Sequence, residues 1–126
     1  MFDEGSPIFM QVAQTISNEI LRGIYAEGDQ IASTNEFAAF YKINPATAGK
    51  GINLLVDQGI LFKRRGIGMF VADGARDRLL QDRKTNFNDN QLRDFVHAAR
   101  AIGISLPELQ SRIAQEYPND QHRPTD

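Results

Sequence analysis

Three short stretches carry the side chains that could do chemistry. Lys63-Arg64-Arg65-Gly66-Ile67-Gly68 is the densest basic run in the chain. Cations set beside glycines can neutralise phosphates while the backbone approaches a polyanion closely. Asn44-Pro45-Ala46-Thr47, with Lys50 one turn on, joins a helix start to small polar groups and a cation. Ser33-Thr34-Asn35-Glu36 offers hydroxyl and amide groups at a second helix start. The N–H groups exposed at a helix N-terminus attract phosphate. This is recognition chemistry with no covalent step.

The residues needed for catalysis are missing. The chain has no cysteine, which removes a thiol nucleophile, a disulfide framework and Cys-ligated zinc. No glycine-rich phosphate loop joins a strand to a helix, and no carboxylates cluster with histidine. Asp94 and His97 are spaced to face one way on a helix, but a metal needs a third ligand and none is apparent. His97 is expected at a surface or interface, and His122 lies in a loose tail. No enzyme activity, metal or cofactor is expected, and no small-molecule effector can be named.

Net charge is −2 over 126 residues, which argues mildly against a polyanionic partner; the placement of charge matters more than its sum. The chain is 41% hydrophobic and 24% charged, enough for a folded core. The acidic start lacks the basic region of a signal peptide, and no apolar run approaches the roughly 20 residues that span a bilayer. No membrane partner and a cytoplasmic location are expected.

The elements that must position the three stretches can be read in order. Ser6 as N-cap and Pro7 at the first helical position open a helix, whose stripe is Ile8, Val12, Ile16 and Ile20. Gly23 ends it, and a turn at Glu27-Gly28-Asp29 leads to a short strand ending near Ile31. Ser33 and Glu36 form a capping box for a helix over residues 34–41, with Phe37, Ala38 and Tyr41 inward. Lys42 to Asn44 is a connection of helix-turn-helix length. Asn44 and Pro45 open a third helix, buried through Ala48, Ile52, Leu55 and Val56 and ending near Gln58-Gly59. Residues 60–62 and 69–71 then pair as a hairpin around the basic run. Helix, short strand, helix-turn-helix and hairpin make a winged helix-turn-helix.

The second half changes character. A charged helix is expected from Arg76 to about Lys84, carrying Leu79 and Leu80. Asn88 as N-cap with Gln91 opens a fifth, with Leu92, Phe95, Val96, Ala99 and Ile102 as its stripe and Gly103 as its stop. Ser105 and Glu108 cap a sixth, through Leu109 and Ile113. The fold class is mainly α with a small β-hairpin. Residues 1–73 form the winged helix-turn-helix, 74–117 a helical dimerisation segment and 118–126 a flexible tail. Phe37, Phe40, Phe62, Phe70 and Phe95 are expected in the core.

In such a fold the first turn of the third helix faces base edges in the major groove. Asn44, Ala46, Thr47 and Lys50 point away from its buried stripe. Thr47 can bond a base edge or place its methyl against thymine, and Lys50 can contact phosphate or read guanine. Ser33, Thr34 and Asn35 offer phosphate contacts. Lys63, Arg64 and Arg65 reach the adjacent backbone, while Gly66 and Gly68 let the tip approach the minor groove. Ile67 is an exposed tip residue, with a minor-groove wedge as its sharper role. One unit offers few cations, so a homodimer is expected. Pairing would bury Leu79, Leu80, Leu92, Phe95, Val96, Ala99, Ile102 and Leu109 and set two third helices on half-sites of a near-palindrome in double-stranded DNA.

Residues 7–72 resemble the DNA-binding domain of GntR-type regulators. The resemblance is carried by Pro7-Ile8-Phe9-Met10-Gln11, Ile20-Leu21-Arg22-Gly23, Gly28-Asp29-Gln30-Ile31-Ala32-Ser33, Ile43-Asn44-Pro45-Ala46-Thr47, Gly59-Ile60-Leu61 and Arg64-Arg65-Gly66-Ile67-Gly68-Met69-Phe70-Val71. The whole chain is similar to the compact YtrA subfamily: residues 74–126 are too few for a large effector domain, and Ala98 to Leu109 resemble that subfamily's short helical dimerisation segment. The resemblance implies a repressor, of the kind that often controls ABC-transporter operons and its own gene. Three features depart from the family pattern. Asn35 stands where an arginine commonly contacts DNA. Ile67 stands where a lysine is common. Ala48, Gly49 and Gly51 stand where larger residues are usual. Each helical glycine costs roughly 1 kcal/mol relative to alanine, so either a partner packs closely there or the helix is weak. The fewer cations leave open an alternative, a winged-helix protein-interaction module without DNA affinity.

Overall fold

The computed structural model describes residue 2 and residues 5–118. The tail expected from 118 onward, His122 included, lies outside the described residues except for Pro118. The chain divides into two compact units, one ending at Arg83 and one beginning at Lys84. The first unit therefore runs past the boundary expected at residue 73, because Ala75 and Leu79 are buried in its core.

Helix α1 spans Ile8–Leu21, α2 Thr34–Tyr41 and α3 Pro45–Asp57. Their apolar stripes meet in one core of Val12, Ile16, Ile20, Phe37, Ala38, Ala48, Ile52 and Leu55, joined by Ile60, Leu61 and Val71. α1 begins differently from the sequence expectation. Pro7 is its N-cap, without a side-chain cap bond, and Ser6 does not cap it. The other two starts follow from their caps. Ser33 and Glu36 form the reciprocal capping box of α2, and the Asn44 side chain accepts the Ala46 N–H at α3, with Pro45 at its first turn. Lys42 closes α2 in the left-handed conformation at φ 58°, which turns the chain into α3 within the short connection.

Gly51 marks the closest approach of α1 to α3. A Cβ there would lie 2.5 Å from the Phe9 carbonyl oxygen and 2.7 Å from Val12 Cβ. The weak-helix alternative is thereby set aside at this position: glycine is present because the helices cross tightly.

Strands β1 (Leu61–Arg64) and β2 (Gly68–Val71) pair antiparallel, Leu61 opposite Val71 and Arg64 opposite Gly68. The short strand expected near Ile31 is reduced to a single bridge, Gln30 with Phe70. Backbone bonds from Gly28 to Val71 and from Ile31 to Met69 still hold this segment along β2.

Helix α4 spans Ala75–Asn86, and its first turns are tied down by polar contacts. The Glu27 carboxylate accepts the N–H of Gly74 at 2.9 Å and of Arg76 at 3.2 Å. The Arg76 guanidinium donates to the Ile20 and Leu21 carbonyls at the end of α1, and Arg78 donates to the Gln58 carbonyl at the end of α3. Arg83 donates to Asn18 Oδ1 at 2.6 Å. Cations at helix C-termini satisfy orphan carbonyls and match the helix dipole.

The two backbone bonds, Gly74's first, hold the Glu27 carboxyl below the usual carboxylate range. A depressed folded pKa means stability that is present above the unfolded pKa and lost as pH falls through the folded one. Glu27→Gln is expected to lower the melting temperature at neutral pH and to matter much less at acid pH. An equal deficit at both pH values, read from thermal melts, would reject this assignment. Glu19 works in the opposite sense: burial raises its pKa, with Arg22 partly opposing, so its cost at neutral pH relaxes on acidification.

In the second unit the backbone departs from expectation. Asn88 caps nothing. Phe87–Leu92 forms a π-helical stretch and passes directly into α5, Arg93–Ala101. The Asn- and Asp-rich segment that favours a cap in sequence terms is instead absorbed by widening the helical hydrogen bonding, so the break is not made. Helix α6 spans Leu106–Glu116, with the Ser105 hydroxyl accepting the Glu108 N–H. Among the described residues of this unit only Ala99 is buried.

Several aromatic expectations are corrected. Phe37 is buried, but Phe40 is 73% exposed, and Phe62 and Phe95 are exposed as well. Phe40 lies at the end of α2 with its ring against Tyr41 at 4.9 Å, on the side away from the α1–α3 core. No helix among the described residues is long and apolar enough to cross a membrane.

Candidate nucleic-acid interface

The first unit brings the three stretches to its surface. At α2, Ser33 and Asn35 are exposed and Thr34 is half-buried. The Ser33 hydroxyl is engaged by the Glu36 N–H at 3.1 Å, and Glu36 returns to the Ser33 N–H at 2.9 Å. The capping role is therefore filled whether or not a phosphate arrives.

At α3, Asn44, Pro45, Ala46 and Lys50 are exposed and Thr47 is half-buried, while Ala48 and Ile52 face the core. The expectation of several free amides here is narrowed. Pro45 has no N–H, and the Ala46 N–H is held by Asn44 Oδ1 at 2.7 Å. Of these three residues, Thr47 alone retains an amide for a phosphate. A Cβ at Gly49 would fit without strain, meeting only Thr34 Cγ2 at an ordinary 3.5 Å.

The wing is built by β1, β2 and the turn between them. Its tip closes with the Ile67 N–H on the Arg64 carbonyl at 2.9 Å. Gly66 takes φ 77° at the third position of this turn, the left-handed value that type II turns require and that glycine supplies without strain. Lys63, Arg64, Arg65 and Gly66 are exposed, as is Ile67 at 60%. The Arg64 guanidinium lies 5.0 Å from the Phe70 ring centroid, and Phe70 stacks on Phe62 at 5.7 Å. Phe62, outside the core, thus forms part of the platform beneath a wing cation.

Two supports escaped the sequence reading. Gln30 donates from Nε2 to the Ile67 carbonyl at 2.9 Å and braces the wing tip. Gly68 makes room for it, since a Cβ there would lie 2.5 Å from Gln30 Nε2. In sequence, Gln30 belongs to a turn-and-strand segment, and nothing local marks a contact 37 residues away. The arginines of α4 were similarly silent. Arg76, Arg78 and Arg83 are engaged in docking α4 onto α1 and α3.

The apolar residues expected at a dimer interface divide into two groups. Leu79 and Ala99 are buried within the chain at 6% and 5% exposure, so neither offers surface to a partner. Leu79 fills the first unit's core and Ala99 lies inside the second. Leu80, Leu92, Phe95, Val96 and Ile102 are exposed, and Leu109 is half-buried. Phe95, Leu109 and Ile113 line an apolar groove in the second unit, edged by the Arg112–Glu116 ion pair.

Comparison with known proteins agrees with this architecture. Residues 9–71 match the family described as bacterial regulatory proteins, gntR family. The chain is 29% identical over 110 residues to the HTH-type transcriptional repressor YtrA of Bacillus subtilis (strain 168), covering 87% of this chain and 84% of that protein. A GntR-family regulator from Bacteroides thetaiotaomicron superimposes with a TM-score of 0.75 at 31% identity, covering 86% of this chain and 94% of the other. The DNA-binding domain of AraR, solved in complex with operator ORX1, gives a TM-score of 0.54 at 31% identity, over 57% of this chain and 93% of that one. The first two of these relatives are a transcriptional repressor and a transcriptional regulator. The family match spans α1 through β2, the segment that holds both α3 and the wing, and the chain belongs to the gntR family of bacterial regulatory proteins.

Proposed function

We propose that this chain is a sequence-specific transcriptional repressor that binds a near-palindromic operator as a homodimer. The observation that carries the reading is that one compact unit exposes both the first turn of α3 and the wing cations Lys63, Arg64 and Arg65. Asn44, Thr47 and Lys50 meet base edges in the major groove, and Gly66, Ile67 and Gly68 bring the wing tip to the neighbouring minor groove. Ser33, Thr34 and Asn35 place the start of α2 at the backbone between them. The operator-bound AraR domain, which shares the fold of the first unit, supports DNA as the ligand, and YtrA supports repression. From the sequence resemblance to the YtrA subfamily, we extend the proposal to an ABC-transporter operon and the protein's own gene as the regulated targets.

Dimerisation rests on the second unit. Helices with Ala99 as their buried residue lack a core of their own, so the apolar faces bearing Leu92, Phe95, Val96 and Ile102 call for a second copy. Two copies also double the few cationic contacts. A dimer is expected by light scattering at micromolar concentration, and a monomer there would count against this arrangement. Gel shifts with DNA from upstream of the protein's own gene, and with duplexes selected from a random pool, test the whole reading. Absence of any shifted species would favour the protein-interaction module, for which the net charge of −2 is the supporting observation.

A further inference from the structure

Lys50 does not extend freely from α3. Its ammonium nitrogen sits 4.1 Å from the centroid of the Phe9 ring on the first turn of α1. Both residues line a cleft together with Ala46, Gly49, Asn53 and Asp57. Lys50 and Asn53 lie three apart on the helix, so they share one face, and Asp57 adds an opposite charge to the same wall. Arg64 on the wing is treated alike, its guanidinium lying 5.0 Å from the Phe70 ring. Two of the candidate interface cations therefore rest on phenylalanine faces, whose negative quadrupole attracts them.

We infer that Phe9 is a specificity-determining residue that acts through Lys50, an inference resting on the DNA-binding reading above. A free lysine on an exposed helix pairs with any phosphate and carries no sequence information. Held over Phe9, the ammonium must leave its ring to reach an arbitrary phosphate. A base edge that meets it in place uses a donor already ordered, and that contact loses less entropy. The ring thus suppresses sequence-independent affinity and favours the matched site. In a chain of net charge −2, with few cations at the interface, restraining one of them has a measurable share of the total.

The test uses the full chain and two duplexes of equal length, one selected by this chain from a random pool and one a scrambled version of it. For Phe9→Leu, affinity for the scrambled duplex is expected to rise about two- to fivefold and affinity for the selected one to fall by a similar factor, on the scale of an exposed cation–π contact. Phe9→Tyr, which keeps an aromatic face, restores discrimination. In a Lys50→Met background Phe9→Leu has no further effect on the ratio of the two affinities. A merely structural role for Phe9 lowers both affinities in parallel, and that outcome overturns the inference. So does an unchanged ratio, or an effect that persists without Lys50. If the unmodified chain fails to distinguish the two duplexes, the operator-binding reading itself falls, and the inference with it.

Discussion

Replacing Arg64 and Arg65 together with alanine is expected to weaken operator binding by about a hundredfold or more for each wing engaged, since a hydrogen bond to a charged group is worth roughly 1.5 kcal/mol or more. The larger signature is in the salt dependence. Each neutralised phosphate adds about 0.9 to the slope of log affinity against log salt, so removing both arginines flattens that slope by about 1.8 per wing. In a dimer engaging both wings the flattening doubles. The two arginines are not equivalent. Arg65 stands exposed in the turn, whereas Arg64 also lies on the Phe70–Phe62 stack. Arg64→Ala is therefore expected to loosen the wing as well as remove charge, and Arg64→Lys to recover the charge more fully than the stacking. Titrations at several salt concentrations decide the matter. An unchanged slope would remove the wing from the interface of this gntR-family DNA-binding regulator.

The second large effect is a reversal of sign between two glycines on α3. Helix propensity alone predicts that alanine at either position stabilises by about 0.5–1 kcal/mol. Gly49→Ala is expected to follow that rule, because its new Cβ meets only Thr34 Cγ2, at an ordinary 3.5 Å. Gly51→Ala is expected to destabilise by about 1–3 kcal/mol. Its Cβ would press on the Phe9 carbonyl oxygen and on Val12, neither of which is the far end of a flexible chain, so α1 and α3 must part. The strain falls on the packing that presents α3, so DNA affinity should drop with stability for Gly51→Ala and stay level for Gly49→Ala. Urea melts of the two variants separate the cases, and a stabilised Gly51→Ala would mean that the helices can shift at little cost.

Much of the first unit could be read from local signals. The Ser33–Glu36 box, the Asn44-Pro45 start, the four-residue stripe of α1 and the glycine-containing wing each specify structure within a few residues, and each appears as expected. The misreadings share a cause. Ser6 and Asn88 carry good capping side chains, but a side chain that can cap does so only where the backbone leaves the helix. At Asn88 the chain stays helical through a π stretch, and at Ser6 it enters one residue later, behind Pro7. Phe40 and Phe95 are apolar, which says that they favour burial and not that this chain buries them.

The candidate site divides along the same line. The residue types at its surface, Thr47, Lys50 and the wing cations, are legible because recognition of a polyanion needs cations and donors at helix starts and turns. Their fixed geometry is not, because it depends on residues far apart in sequence: Phe9 beneath Lys50, Gln30 behind Ile67, Gly51 against Val12, Arg78 on the end of α3. Residue order alone determined the elements, their sequence and the chemistry they could present, since caps, turns and periodicity act over a few bonds. Only the tertiary structure decided which cations are left for a ligand, because a charge is engaged by whatever packing brings beside it, as Arg76 and Arg78 are on helix ends, Arg83 is on the Asn18 side chain and Lys50 is on a ring.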